Sequence, residues 1–215
     1  MADNSLLLDK LYKAIAECDD EESVKAAEIA LKEKVDPSLI IETAIKAIGK
    51  VGRDFEQGSI FLPELMLAGY GTEKIMVMTQ KKLLEMGRQP KTKGSIIMAT
   101  VAGDLHNIGK DLVITMWRAK GYQVYDLGVN VEASRIASAA GDFNVDIVAL
   151  SALMSTTLPE QKSVIEWFLA KEIRDQYKII VGGGVCTQKW SDAIGADGYA
   201  EDAARAVSLV DKLMI

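Results

Sequence analysis

Apolar positions in the first 86 residues recur at three- and four-residue steps, the spacing of one helical face. Leu6, Leu7, Leu11 and Ile15 form one such face, and Val24, Ala27, Ala30 and Leu31 a second. Asp20-Glu21-Glu22 suits a helix start, where acidic groups meet the positive end of the dipole. Asp36-Pro37 reads as an N-cap followed by a first-turn proline, ahead of the face Ile40, Ile41, Ala44, Ile45 and Ile48. Gln57-Gly58-Ser59 breaks the pattern, and Pro63 opens a fourth helix carrying Leu65, Met66, Ile75, Met76 and Leu83. Four helices with short joints predict a small bundle.

The period changes after a polar segment, residues 87–93, which holds a glycine and a proline and reads as a linker. The predicted domains are accordingly 1–88 and 89–215. Continuous apolar runs at 95–101, 122–127, 145–150 and 177–182, with a weaker one at 197–200, suit strands covered on both faces. Helical stretches near 109–120, 132–141, 159–174, 187–194 and 202–213 separate them. Alternating strands and helices imply parallel βαβ units. The predicted fold class is therefore α/β: an N-terminal four-helix bundle cap plus a C-terminal flavodoxin-like (Rossmann-like) doubly wound five-stranded parallel sheet.

Composition narrows the class. The 215 residues are 49% apolar and 26% charged, with a net charge of −6 and pI near 5.0. That balance argues against nucleic acid or an anionic membrane as partner. No apolar run approaches the roughly 20 residues needed to span a bilayer, and Met1-Ala2-Asp3-Asn4 lacks the form of a signal peptide. A cytoplasmic protein is expected. Cys18 and Cys186 fit no zinc spacing and read as free, small apolar residues.

Candidate chemistry gathers in loops that a doubly wound sheet places together at its carboxyl edge. The first is Gly103-Asp104-Leu105-His106-Asn107-Ile108-Gly109, which holds the single histidine of the chain. The second begins at Ser151-Ala152-Leu153, and the third is Gly182-Gly183-Gly184. No phosphate-loop or dinucleotide-binding pattern is present, and Asp104 would repel phosphate. His106 suits a metal ligand whose second ring N–H is taken by a carboxylate, and Asp104 is two residues away. Ser151 on the neighbouring loop extends a relay. One histidine does not hold a bare metal ion, which takes three or four protein ligands, but it supplies one axial ligand to a metal already held by a macrocycle.

Asp-x-His-x-x-Gly at 104–109, Ser-x-Leu at 151–153 and Gly-Gly at 182–183 together resemble the cobalamin-binding signature of the B12-dependent methyltransferases. Between these motifs lie 41 residues and then 28, as in that family. The resemblance implies cobalamin or a related corrinoid as cofactor, methylcobalamin in the loaded state, bound base-off/His-on. It makes His106 the axial ligand to cobalt, with Asp104 and Ser151 as its proton relay. It assigns cofactor contacts to Gly103, Asp104, Leu105, His106, Asn107, Ile108, Gly109, Ser151, Leu153, Gly182 and Gly183, and further tail-pocket positions to Ser155 and Ala203. Val51 to Met66 resembles the helical cap that covers the upper face of the corrin, with Phe55 and Leu62 touching that face. Asn107 stands where an acidic residue is common in the family.

The chain is similar to the free-standing corrinoid proteins of methanol, methylamine and O-demethylase systems, and no substrate barrel or reactivation domain is seen in it. The resemblance implies a methyl carrier without a complete active site of its own. Its expected partners are a substrate:corrinoid methyltransferase acting on a methylamine, methanol, a betaine or an aryl methyl ether, a second methyltransferase acting on tetrahydrofolate or coenzyme M, and a reductive activase. The rival readings are a stand-alone B12-binding sensory module, the B12 subunit of a mutase, and a flavodoxin-like signalling domain. The cap sequence and the three spaced motifs favour the carrier.

Overall fold

The computed structural model describes residues 4–88 and 92–214, apart from the side chain of Glu56. The chain divides into two compact units, Met1–Thr92 with Arg118–Gly121, and Lys93–Trp117 with Tyr122–Ile215. The expected linker falls partly on residues 89–91, which lie outside the described residues.

The first unit is built from α1 (Asn4–Ala16), α2 (Asp20–Lys32), α3 (Pro37–Glu56) and α4 (Leu62–Glu85). Each start has a local cause. Asp19 accepts from the Glu22 amide ahead of α2, and Asp36 accepts from the Ser38 amide ahead of α3, with Pro37 as first residue. At α4 the Glu64 carboxylate reaches back to the Phe61 amide at 2.6 Å. Such caps satisfy backbone donors that a helix leaves open. Leu11, Ile15, Ile40, Ile48, Leu65, Ile75 and Leu83 fill the bundle core. α2 and α4 approach closely at Gly71, where a Cβ would stand 2.6 Å from Ser23 Oγ and 3.0 Å from Asp20 Cα. Leu6 of the predicted face is exposed, while Met66 and Met76 are half-buried. Arg88 turns back to bond both oxygens of Asp36 at 3.0 Å and Ser38 Oγ at 2.9 Å. These bonds hold the Asp36 carboxyl below its ordinary range.

The second unit is a five-stranded parallel sheet of β1 (Ser95–Thr100), β2 (Gln123–Asp126), β3 (Ile147–Ser151), β4 (Lys178–Gly182) and β5 (Gly198–Ala200), in the order β2-β1-β3-β4-β5. That order is flavodoxin-like. The intervening helices are α5 (Ile108–Ala119), α6 (Ala133–Phe143), α7 (Pro159–Ala170), α8 (Gln188–Ile194) and α9 (Ala203–Leu213). Successive strand residues face opposite layers. Ile97, Ala99, Val148, Leu150, Ile179 and Val181 pack with Ile136, Val164, Phe168 and Ile194 of α6, α7 and α8. Ile96, Met98, Ile147, Ala149 and Ile180 pack with Ile114, Trp117, Ala206 and Val210 of α5 and α9. The stretch read as one helix over 159–174 stops at Ala170, because Glu172 is left-handed at φ 58°, and a short 3-10 turn, Arg174–Gln176, leads into β4.

Candidate cofactor site at the carboxyl edge of the sheet

The loop after β1 is fixed before its side chains are considered. Gly103 turns the chain at φ 76°. Its amide donates to Asn130 Oδ1 at 2.7 Å, and the Asn130 amide donates to the Asp104 carbonyl at 2.9 Å. Thr100 Oγ1 donates to the His106 carbonyl at 2.9 Å. Asn130, from the loop after β2, was not legible as a site residue because it lies outside the three motifs.

Within that frame Asp104 is fully buried. Its Oδ1 accepts from the His106 amide at 3.1 Å and from His106 Nδ1 at 2.7 Å. Its Oδ2 accepts from the Leu153 amide and from Thr157 Oγ1, each at 2.7 Å. Burial by itself raises a carboxyl pKa, but these donors outweigh it and hold Asp104 well below the usual carboxylate range. An ionised carboxylate only accepts, so the proton between the two residues belongs to His106 Nδ1. In the neutral ring Nε2 then keeps its lone pair. The ring is half exposed, and the exposed apolar side chains Leu105, Ile108 and Leu153 share one cavity wall with it.

The expected relay needs one correction. Thr157, not Ser151, is the hydroxyl on Asp104. Ser151 is the last residue of β3, in register with Thr100 and Gly182. Strand geometry puts its side chain on the α5 and α9 face of the sheet, in the wall of the cavity below. Thr157 reaches Asp104 because the chain turns after β3, with the Thr157 amide donating to the Met154 carbonyl.

A cavity of about 500 Å³ opens beside His106 and runs between the sheet and α5 and α9. Leu105, His106, Asn107, Ile108, Gly109, Ser151, Leu153, Gly182, Gly183 and Ala203 line it. Gly103 and Asp104 sit behind this wall, bonded as described. Ser155, by contrast, is exposed on the turn before α7 and is not among the lining residues; a residue four beyond a strand end has left the cleft. Phe55 and Leu62 belong to the helical unit, half-buried on either side of the α3–α4 turn.

The glycines act differently. At Gly183, with φ 119°, a Cβ would lie 1.9 Å from the Ala152 carbonyl oxygen, so no other residue lets these loops nest. A Cβ on Gly109 would meet nothing within 4 Å, which leaves the floor beside His106 clear for a large flat ligand. The strand ends are tied by Gln161, which is fully buried. Its Nε2 donates to the Leu150 and Gly182 carbonyls at 3.1 and 3.0 Å, and its Oε1 accepts from Trp190 Nε1 at 3.0 Å. Cys186 donates to the same oxygen at 3.6 Å. Burial raises its thiol to about 11, so it stays protonated and unreactive at neutral pH. Lys110 is buried against Asp111 and Asp126, each at 2.7 Å, and Asn107 Nδ2 donates to Asp111 at 2.9 Å. The amide at position 107 thus stays on α5.

Among the described residues no group of three or more His, Cys, Asp or Glu side chains converges to hold a metal ion. One free imidazole nitrogen, an apolar platform around it, an open floor at Gly109 and a deep apolar cleft fit a metal carried by a macrocycle with a tail. Among the described residues no helix is long and apolar enough to cross a membrane.

Comparison with known proteins agrees with this geometry. Residues 94–208 match one B12 binding domain family and residues 7–77 match another. The chain is 36% identical over 210 residues to a corrinoid protein of Desulfitobacterium hafniense, covering 97% of each. It is 38% identical over 217 residues to dimethylamine corrinoid protein 2 of Methanosarcina acetivorans, covering all of this chain and 99% of the relative. Among solved structures, the methanol:cobalamin methyltransferase complex of Methanosarcina barkeri matches with TM-score 0.84 at 30% identity, over 97% of this chain and 80% of that one. The monomethylamine corrinoid protein of the same organism matches with TM-score 0.53 at 31% identity, over 98% and 100%.

Proposed function

This chain belongs to the B12-binding corrinoid protein family, and from that premise we propose that it is the methyl carrier of a multi-component methyltransferase system. The observation that carries the reading is the Asp104–His106 pair at the mouth of an apolar cleft, with Nε2 left free. When bound, the corrinoid supplies a cobalt that takes up and hands on a methyl group. His106 would hold the cobalt through Nε2, in the base-off/His-on mode, with Asp104 keeping the proton on Nδ1. Asp104 is held strongly ionised, so it stays an acceptor for the Nδ1 proton. Thr157 and the Leu153 amide fix the carboxylate. Leu105, Ile108 and Leu153 offer an apolar bed to the macrocycle, and Ser151, Gly182, Gly183 and Ala203 receive its tail.

Phe55 and Leu62 are assigned to the opposite face of the corrin; their support is the match of residues 7–77 to a B12 binding domain family. The methyltransferase complex among the structural matches supports a methyltransferase as partner. The relatives named for dimethylamine support a methylated amine as donor. A second methyltransferase and a reductive activase complete the proposed cycle, which runs in the cytoplasm.

The test is spectroscopic. Protein reconstituted with cobalamin and reduced to cobalt(II) is expected to show electron paramagnetic resonance splitting from one protein nitrogen, and His106→Ala to lose it while retaining the corrinoid. Splitting unchanged in that variant would refute the ligand assignment.

A further inference from the structure

The inner end of the cleft is made by strands in register. Met98, Ala149 and Ile180 stand side by side across β1, β3 and β4, and all three line the cavity with Val113 and Trp117 of α5 and Ala206 of α9. Across these six side chains the one nitrogen or oxygen is Trp117 Nε1, which already donates to the Ala206 carbonyl at 3.2 Å. Lys110 Nζ is taken by Asp111 and Asp126. Glu201 and Asp202 are exposed and both pair with Arg205. Next to the inner row, one pleat nearer the carboxyl edge, is the row Thr100, Ser151 and Gly182. Ser151 there brings one hydroxyl to the cavity wall.

Resting on the corrinoid reading above, we infer that this chamber selects corrinoids by the base of their nucleotide tail, accepting a benzimidazole and rejecting adenine. The base is the apolar, aromatic end of the tail, so it goes to the apolar end of the cleft. A dimethylbenzimidazole presents carbon edges to Met98, Val113 and Ile180, and its one free ring nitrogen needs one donor, which the Ser151 hydroxyl supplies. Adenine carries an exocyclic amine and several ring acceptors, and the chamber has no side-chain partner for most of them. A buried polar group without a partner is costly. A cavity that merely lacks such a partner discriminates by roughly 10- to 100-fold.

Equilibrium dialysis of the purified full chain against cobalamin, the adeninyl cobamide and cobinamide, which has no base, tests this. Cobalamin is expected to bind 10- to 100-fold more tightly than the adeninyl cobamide. Met98→Gln, which brings an amide to the chamber, is expected to narrow that ratio. Equal or tighter binding of the adeninyl cobamide overturns the selectivity alone. An unchanged ratio in a Met98→Gln protein that binds cobalamin normally overturns its assignment to the chamber lining. Failure of both cobalamin and cobinamide to bind overturns the corrinoid reading beneath it.

Discussion

Thr157 Oγ1 donates to Asp104 Oδ2 at 2.7 Å while the other oxygen of that carboxylate takes His106 Nδ1 at the same distance. One fully buried carboxylate thus joins the loop after β1 to the turn after β3. A change at Thr157 is felt at the imidazole 51 positions earlier in the chain.

Thr157→Val removes one donor from Asp104 and keeps the shape. The carboxylate then keeps three of its four hydrogen bonds, and its hold on His106 Nδ1 changes. The pH at which the nitrogen ligand is released from bound cobalamin is expected to shift, read by absorbance titration. Ser151→Ala, which does not touch Asp104, is expected to leave that pH in place. Equal shifts in both variants would count against the assignment of Thr157.

The depressed carboxyl of Asp104 also links stability to acid. In the unfolded chain an aspartate titrates near ~3.9, and in the fold it titrates lower, so between the two values the unfolded state binds more protons. The stabilisation is complete above the unfolded value and is lost as pH falls through the folded one. Urea midpoints of the cofactor-free protein, followed from pH 6 down to about 3, are expected to fall more steeply for the native chain than for Asp104→Asn.

Two glycine-to-alanine changes separate folding from binding. Gly183→Ala drives a Cβ into the Ala152 carbonyl at a positive φ, and a loss of about 2–4 kcal/mol in urea unfolding is expected. Gly109→Ala meets no neighbour, so the unfolding midpoint is expected to hold while cobalamin affinity drops by about tenfold or more. An unchanged affinity would show that no ligand lies on that floor.

Gln161→Leu leaves Trp190 Nε1 without its acceptor, while the Leu150 and Gly182 carbonyls keep their places in the β3–β4 ladder. Such an orphan costs about 1–3 kcal/mol, so a loss of roughly 1–3 kcal/mol is expected in urea unfolding. A loss within about 0.5 kcal/mol, the range of an ordinary surface change, would mean that water replaces the amide.

Local chemistry made most of the fold legible in the sequence. Asp36-Pro37 and Gln57-Gly58-Ser59 bound their helices because capping and helix termination depend on adjacent residues. The apolar runs mark strands because a parallel sheet buries both faces. Asp104 and His106 are two residues apart, so their pairing depends on one tight turn and is readable from spacing.

The tertiary structure decided what lies across the sheet. Ser151 and Thr157 are both hydroxyl residues after a strand, and spacing alone does not say which reaches Asp104. Strand register commits Ser151 to the cavity wall, and the turn at 154–157 carries Thr157 to the carboxylate. Asn130 and Gln161 tie elements far apart in the chain, and neither has a neighbour in sequence to betray it. The chamber of Met98, Ala149 and Ile180 exists only because three strands align those positions. A strand's own sequence sets which residues share a face, but register between strands is settled by the packing of the whole sheet.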